Sequence, residues 1–243
     1  MAGHSKWANI KRRKAVVDAK RGKLFTKASK EIIVAARIGG GDPDANARLR
    51  MAIENARAVS MPVENIKRAI QRGSGELDGV SYEDAMYEGY GAAGTAFIVV
   101  CTTDHRNRTT QELRATFAKY GGNLGETNSV SWNFDRMGEI RVESNATEDE
   151  LMEIALECGA DDVASLDDGA LFYCAVDQLG TCANTLSQRG VPVREQRIVY
   201  EPNVMVSQID QEAETKINKL LDALEDNDDV QNVFHNADLR ESN

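Results

Sequence analysis

The sequence predicts an α+β protein, with an N-terminal three-helix domain followed by two ferredoxin-like α/β domains, one inserted in the other. Three observations carry this. Up to residue 75 apolar residues recur at three- and four-residue steps, and from Tyr82 the pattern changes to short strand-like runs. Gly39-Gly40-Gly41 and Gly73-Ser74-Gly75 punctuate the first part as helix stops. The stretch from Gly138 to Tyr200 reads strand-helix-strand-strand-helix-strand, the order of a split βαβ unit. A chain of 243 residues has room for two or three small domains.

In the first domain, residues 1–75, the stripe Leu24, Phe25, Ala28, Ile32, Ala35 and Ala36 defines one helix. Asp42 reads as an N-cap with Pro43 in the first turn of a second helix, which carries Leu49, Ala52, Ile53 and Ala56 inward. Pro62 opens a third, with Val63, Ile66, Ala69 and Ile70. The next domain starts with strands over Tyr82–Tyr87 and Thr95–Thr103, a helix over Thr109–Tyr120 and a strand over Val130–Phe134. It is interrupted by residues 136–201. In that insertion Thr147 and Glu150 form a capping box, and Asp167-Asp168-Gly169 turns a hairpin. After Pro202 a helix over Ile209–Leu224 and a last strand complete the discontinuous domain of residues 76–135 and 202–243.

The formal net charge of -10 would argue against a polyanionic partner, yet it is a cancellation. Residues 1–75 hold 17 Lys+Arg against 6 Asp+Glu, and residues 76–243 hold 12 against 33. Lys6, Trp7, Lys11, Arg12, Arg13 and Lys14 crowd the start, with an aromatic placed to stack on a base. Lys20, Lys23, Lys27, Lys30 and Arg37 fall along one helix face, Arg21 adds to them, and Lys67, Arg68 and Arg72 lie on the third helix. These residues are the expected nucleic-acid-binding set. If about 6 to 8 of them meet phosphates, log K should fall with log salt at a slope near -5 to -7.

Other chemistry finds little support. Gly89-Tyr90-Gly91-Ala92-Ala93-Gly94 matches G-x-G-x-x-G literally, but a strand follows it where a dinucleotide site needs a helix. Asp104 and His105 have no accompanying nucleophile. Cys101, Cys158, Cys174 and Cys182 lack metal-site spacing, and Cys101 and Cys174 sit in apolar runs that suit buried reduced thiols. The acidic run Glu225, Asp226, Asp228, Asp229 reads as a solvated helix end, since it lacks the glycine and terminal Glu of a calcium loop. The expectation is therefore no catalytic residue, no metal and no cofactor. No apolar run reaches the ~18 residues of a membrane span, and the start has no secretory core, so a cytoplasmic protein without a membrane partner is expected.

Several segments are familiar as a set: Ala2-Gly3-His4-Ser5-Lys6-Trp7, Asp18-Ala19-Lys20-Arg21-Gly22-Lys23, Gly41-Asp42-Pro43, Met61-Pro62, Tyr87-Glu88-Gly89-Tyr90-Gly91, Asn107-Arg108-Thr109, Gly121-Gly122-Asn123-Leu124-Gly125 and Asp228-Asp229-Val230-Gln231. Over essentially the whole chain they resemble the YebC family. The resemblance implies three domains and a regulator of gene expression, because the family includes bacterial proteins described as transcriptional regulators and a mitochondrial translational activator of cytochrome c oxidase subunit I. The expected function is a non-enzymatic, DNA-binding transcriptional regulator whose acidic domains meet protein partners. The alternatives are an RNA-associated translational activator that relieves stalled elongation, meeting rRNA or tRNA at the ribosome, and a small-molecule sensor built on the ferredoxin-like domains.

Overall fold

A computed structural model of the chain describes residues 21–239. Three helices come first: α1 (Arg21–Gly39), α2 (Ala47–Ala58) and α3 (Val63–Gly73). There follow β1 (Glu83–Tyr90), β2 (Ala96–Thr103), α4 (Arg106–Lys119), β3 (Asn123–Leu124) and β4 (Phe134–Val142). Then come α5 (Glu148–Cys158), β5 (Asp162–Leu166), β6 (Gly169–Cys174), α6 (Leu179–Gln188), β7 (Val193–Pro202), α7 (Gln211–Glu225) and β8 (Val230–His235). Among the described residues no helix is long and apolar enough to cross a membrane.

Contacts divide the chain into two compact units. One takes the chain up to Val34, Asp78–Asp135 and the part from Pro202 onward; the other takes Ala35–Leu77 and Arg136–Glu201. The helical segment is thus shared between them, parting within α1.

The first unit is built on a sheet of order β3-β1-β2-β8. Strands β1 and β2 form an antiparallel hairpin closed at Tyr90 and Ala96. The glycines of the literal G-x-G-x-x-G run belong to this hairpin, as the strand after it required. A Cβ on Gly89 would come 2.8 Å from the Phe117 ring, and one on Gly91 would come 2.6 Å from that of Phe97. The motif is glycine-rich because the sheet meets its own aromatic core there, with Phe97 and Phe117 edge to face at 5.8 Å. Phe97, Val99 and Cys101 of β2 share this core with Leu113 of α4 and Ile217, Leu220, Leu221 and Leu224 of α7. Burial pushes the Cys101 thiol up to about 12, with Asp229 adding to the effect, so that group is inert at neutral pH.

In the second unit the sheet order is β5-β6-β4-β7. Numbered along this segment, the strands lie second-third-first-fourth, with α5 and α6 each crossing between strands. Ile140, Val142, Phe172 and Cys174 meet Leu151, Ala155, Cys182 and Leu186 of the two helices in one core. Leu166 pairs with Gly169 across the two-residue turn Asp167-Asp168. The capping box of Thr147 and Glu150 is formed, and the hydrogen bonds from Thr147 hold the Glu150 carboxyl below its ordinary value.

Two local expectations are corrected. The N-cap of α2 is Asn46, whose side chain accepts from Leu49 N and donates to Ala35 O and Gly40 O, each at 2.8 Å. Asp42 instead accepts from Asp44 N and closes a turn ahead of the helix. The strand expected over Val130–Phe134 is largely a 3-10 turn, Ser131–Asn133, and the third strand of the sheet is β3. Glu88 explains this: its buried carboxylate accepts from Asn128 N, Val130 N and Ser131 N at 2.7–2.8 Å, so those groups are committed before any ladder forms.

Candidate nucleic-acid interface

The basic set expected from the sequence separates into three groups. Lys6, Trp7, Lys11, Arg12, Arg13, Lys14 and Lys20 lie outside the described residues, as does the side chain of Arg21. The second group is the α1 row, and its ammonium groups face α7. Lys23 pairs with Asp226 at 2.9 Å and also donates to Asp226 O, while Lys27 donates to Glu225 O at 3.2 Å. Lys30, only 6% exposed, donates to Asp229 Oδ1 at 2.8 Å, Asp228 O at 2.7 Å and Thr102 O at 3.4 Å. Its Nζ also stands 5.2 Å from the centre of the Tyr82 ring.

The run from Glu225 to Asp229 is therefore a receptor for lysines rather than a solvated helix end. Helix C-termini leave carbonyls without partners and carry partial negative charge, which the acidic side chains worsen. The three lysines answer both needs. They donate to the carbonyls of residues 225, 226 and 228, and they neutralise Asp226 and Asp229.

Asp229 is the centre of this arrangement and is 4% exposed. Its Oδ2 accepts from Arg108 at 2.8 Å, Thr109 at 2.8 Å and Thr103 at 3.1 Å, while Oδ1 takes Lys30. Burial alone would raise its pKa. The hydrogen bonds from Lys30, Arg108 and Thr109 override that and hold the carboxyl well below the usual carboxylate range. Arg108, half exposed, is raised in turn by Asp229 and Asp104. His105 is the N-cap of α4 and its Nδ1 accepts from Arg108 N, so the Asp104-His105 pair serves the start of a helix. Among the described residues no three His, Cys, Asp or Glu side chains converge to hold a metal ion.

The third group lies on exposed helix surface. Lys67, Arg68 and Arg72 are exposed on α3, where Ile66 and Ala69 face inward. Lys67 meets Glu64 at 3.2 Å in an exposed pair that competes weakly with other anions. Among the described residues neither Arg68 nor Arg72 meets a carboxylate, and their i,i+4 spacing aligns the two guanidinium groups on one face. Arg37 is exposed in the last turn of α1. Reasoning from sequence missed Arg57, exposed in the last turn of α2, and Arg50, which donates to Pro43 O and Asp44 O; their seven-residue spacing was the available signal. The second unit also has a cleft of about 500 Å³, lined in part by Glu54, Asn55, Arg57, Arg194 and Glu195. It carries charges of both signs and is open to solvent, unlike the enclosed apolar cavity typical of a small-molecule site.

Comparison with known proteins places these features in context. Residues 5–76 match the model of the TACO1/YebC protein N-terminal domain, and residues 82–237 match that of the TACO1/YebC second and third domain. A probable transcriptional regulatory protein of a Sulfurihydrogenibium species is 52% identical over 245 residues, covering 100% of this chain and 97% of the relative. One from Myxococcus xanthus is 48% identical, with 100% and 97% covered. The crystal structure of a conserved hypothetical protein from Aquifex aeolicus superposes with a TM-score of 0.87 at 47% identity, covering 93% of each chain.

Proposed function

The chain belongs to the TACO1/YebC family, and on that premise we propose that it is a non-enzymatic regulator of gene expression that grips duplex DNA by its phosphates. The observation that carries this reading is the exposed α3 face, where Arg68 and Arg72 meet no carboxylate among the described residues and Lys67 has only an exposed pair with Glu64, while Lys23, Lys27 and Lys30 are occupied. Arg37 is a further exposed cation, and the sequence adds the basic run from Lys6 to Lys20 with Trp7 within it, a composition suited to phosphates and bases. In this reading contact with the phosphate backbone supplies the affinity. Relatives named as transcriptional regulators support DNA as the target.

An electrophoretic shift assay over a salt series tests the reading. Replacing Lys67, Arg68 and Arg72 together by Glu should weaken binding and lower the salt slope by about 3, near 0.9 for each phosphate no longer neutralised. Unchanged binding removes α3 from the interface. Running the same series with structured RNA separates the targets: tighter binding to RNA at matched salt would replace transcription by the translational reading.

A further inference from the structure

Trp132 is 73% exposed, and the loop that carries it is held from several sides. Glu88 takes three backbone N–H groups of the loop, and Tyr90 Oη donates to Ser129 O at 2.7 Å. The indole Nε1 donates to the same Ser129 O at 3.0 Å, so the ring has already spent its polar group and offers solvent an apolar face. The next residue, Asn133, is buried and exchanges two hydrogen bonds with the backbone of Val204, which is itself 62% exposed. Asn203 N donates to Asn133 O at 2.8 Å. The backbone segments that carry Trp132 and Val204, two exposed apolar side chains, are therefore tied together through one buried asparagine. Ordering such a knob in advance removes part of the entropy cost of docking, and tryptophan is among the residue types enriched at the energetic centres of protein interfaces.

We propose that Trp132 and Val204 form a docking knob for a basic protein, one whose surface presents an apolar socket bordered by lysine and arginine. The charges nearest the knob along the chain select this occupant, and one of them, Asp135, accepts from Asn203 beside Val204. Residues 121–135 and 202–210 carry Glu126, Asp135 and Asp210 and no Lys or Arg, with Lys119 and Arg136 just outside the first segment. A base stacked on the indole would bring its phosphates against these carboxylates, whereas aromatic platforms for single strands are flanked by cations. A cationic protein rim meets complementary charge. This inference is independent of the nucleic-acid reading.

The test places p-benzoylphenylalanine at position 132 in cells that make the protein, irradiates them, and analyses the adduct with and without nuclease. The crosslinked protein is then purified, and its affinity is measured by calorimetry for the wild type, Trp132→Ala, and the pair Glu126→Lys with Asp135→Lys. Expected is one predominant, nuclease-resistant protein adduct mapping to a Lys/Arg-bordered site, with affinity falling at least about thirtyfold for Trp132→Ala and markedly for the charge reversal. Because the side chain is exposed, Trp132→Ala should keep the wild-type melting temperature and nucleic-acid affinity. A nucleic-acid adduct, no adduct, or a protein whose affinity ignores either variant would overturn the proposal.

Discussion

Replacing Lys30 by Met tests whether the knot at Asp229 holds α1 to the end of α7. The substitution keeps the apolar stem and deletes an ammonium group that reaches Asp229 Oδ1, Asp228 O and Thr102 O at 2.8, 2.7 and 3.4 Å. Removing one partner of a buried ion pair costs about 3–5 kcal/mol, because the other charge stays buried. Asp229 keeps Arg108 and the hydroxyls of Thr103 and Thr109, which places the cost at the lower end, near 3 kcal/mol. In a chain of this size that lowers Tm by about 6–12 °C. Asp229→Asn should cost a similar amount, and the double variant should fall short of the sum by about 1.5–2 kcal/mol, since the two share one interaction. The assay is urea unfolding at pH 7 in a Trp7→Phe background, so that Trp132 alone reports. A loss below about 1 kcal/mol for Lys30→Met, or strict additivity, would refute the assignment of Asp229 as the counter-charge that matters.

The same carboxylate predicts a pH dependence. Its folded pKa is depressed, so its stabilisation is present above the unfolded value of about 3.9 and is lost as pH falls through the folded value. The stability gap between wild type and Asp229→Asn should therefore hold steady from pH 7 to about 5 and close below about pH 4, read from urea midpoints at each pH. Asn46→Ala removes a cap and leaves Ala35 O and Gly40 O short of a donor; a cost of about 2–3 kcal/mol is expected, with faster amide exchange at the start of α2. Gly169 sits at φ +154 with the carbonyl oxygen of Val142 where a Cβ would go, so Gly169→Ala should cost at least about 2 kcal/mol. Gly180→Ala, in α6 with nothing within 4 Å of the added methyl, should stabilise by about 0.5–1 kcal/mol, and thermal melts of the pair check the contrast.

Local signals in the sequence translated well into structure. The T-x-x-E box, the Asp167-Asp168 turn and the strand after the glycine-rich run depend on neighbours within a few residues, and each is visible in the chain itself. Asn46 was passed over because Asp42-Pro43 is the stronger pattern by type, and only the buried partners at Ala35 and Gly40 decide between them. The turn that displaced the expected strand at Val130 depends on Glu88, about forty residues earlier. For the candidate interface the gap was wider. Lys30 and Asp229 are 199 residues apart, and a lysine bound for a buried carboxylate has the same helical spacing as one bound for a phosphate. Periodicity gave the face on which the cations lie and could not say what that face meets.

The strand order of the first sheet also has a consequence in time. Strand β2, Ala-Phe-Ile-Val-Val-Cys-Thr-Thr, is buried along nearly all its length, and its outer neighbour is β8, the last strand of the chain. Between the end of β2 at Thr103 and the start of β8 at Val230 the ribosome must add 126 residues, the inserted segment among them, which at about 5–20 residues per second takes on the order of 6 to 25 s. For that interval one edge of the most apolar strand has made its hairpin with β1 and has no second partner. The discontinuity that nests one α/β segment within another thus leaves the nascent chain with an unpaired apolar edge, and any shielding of that edge during synthesis must come from outside the sheet.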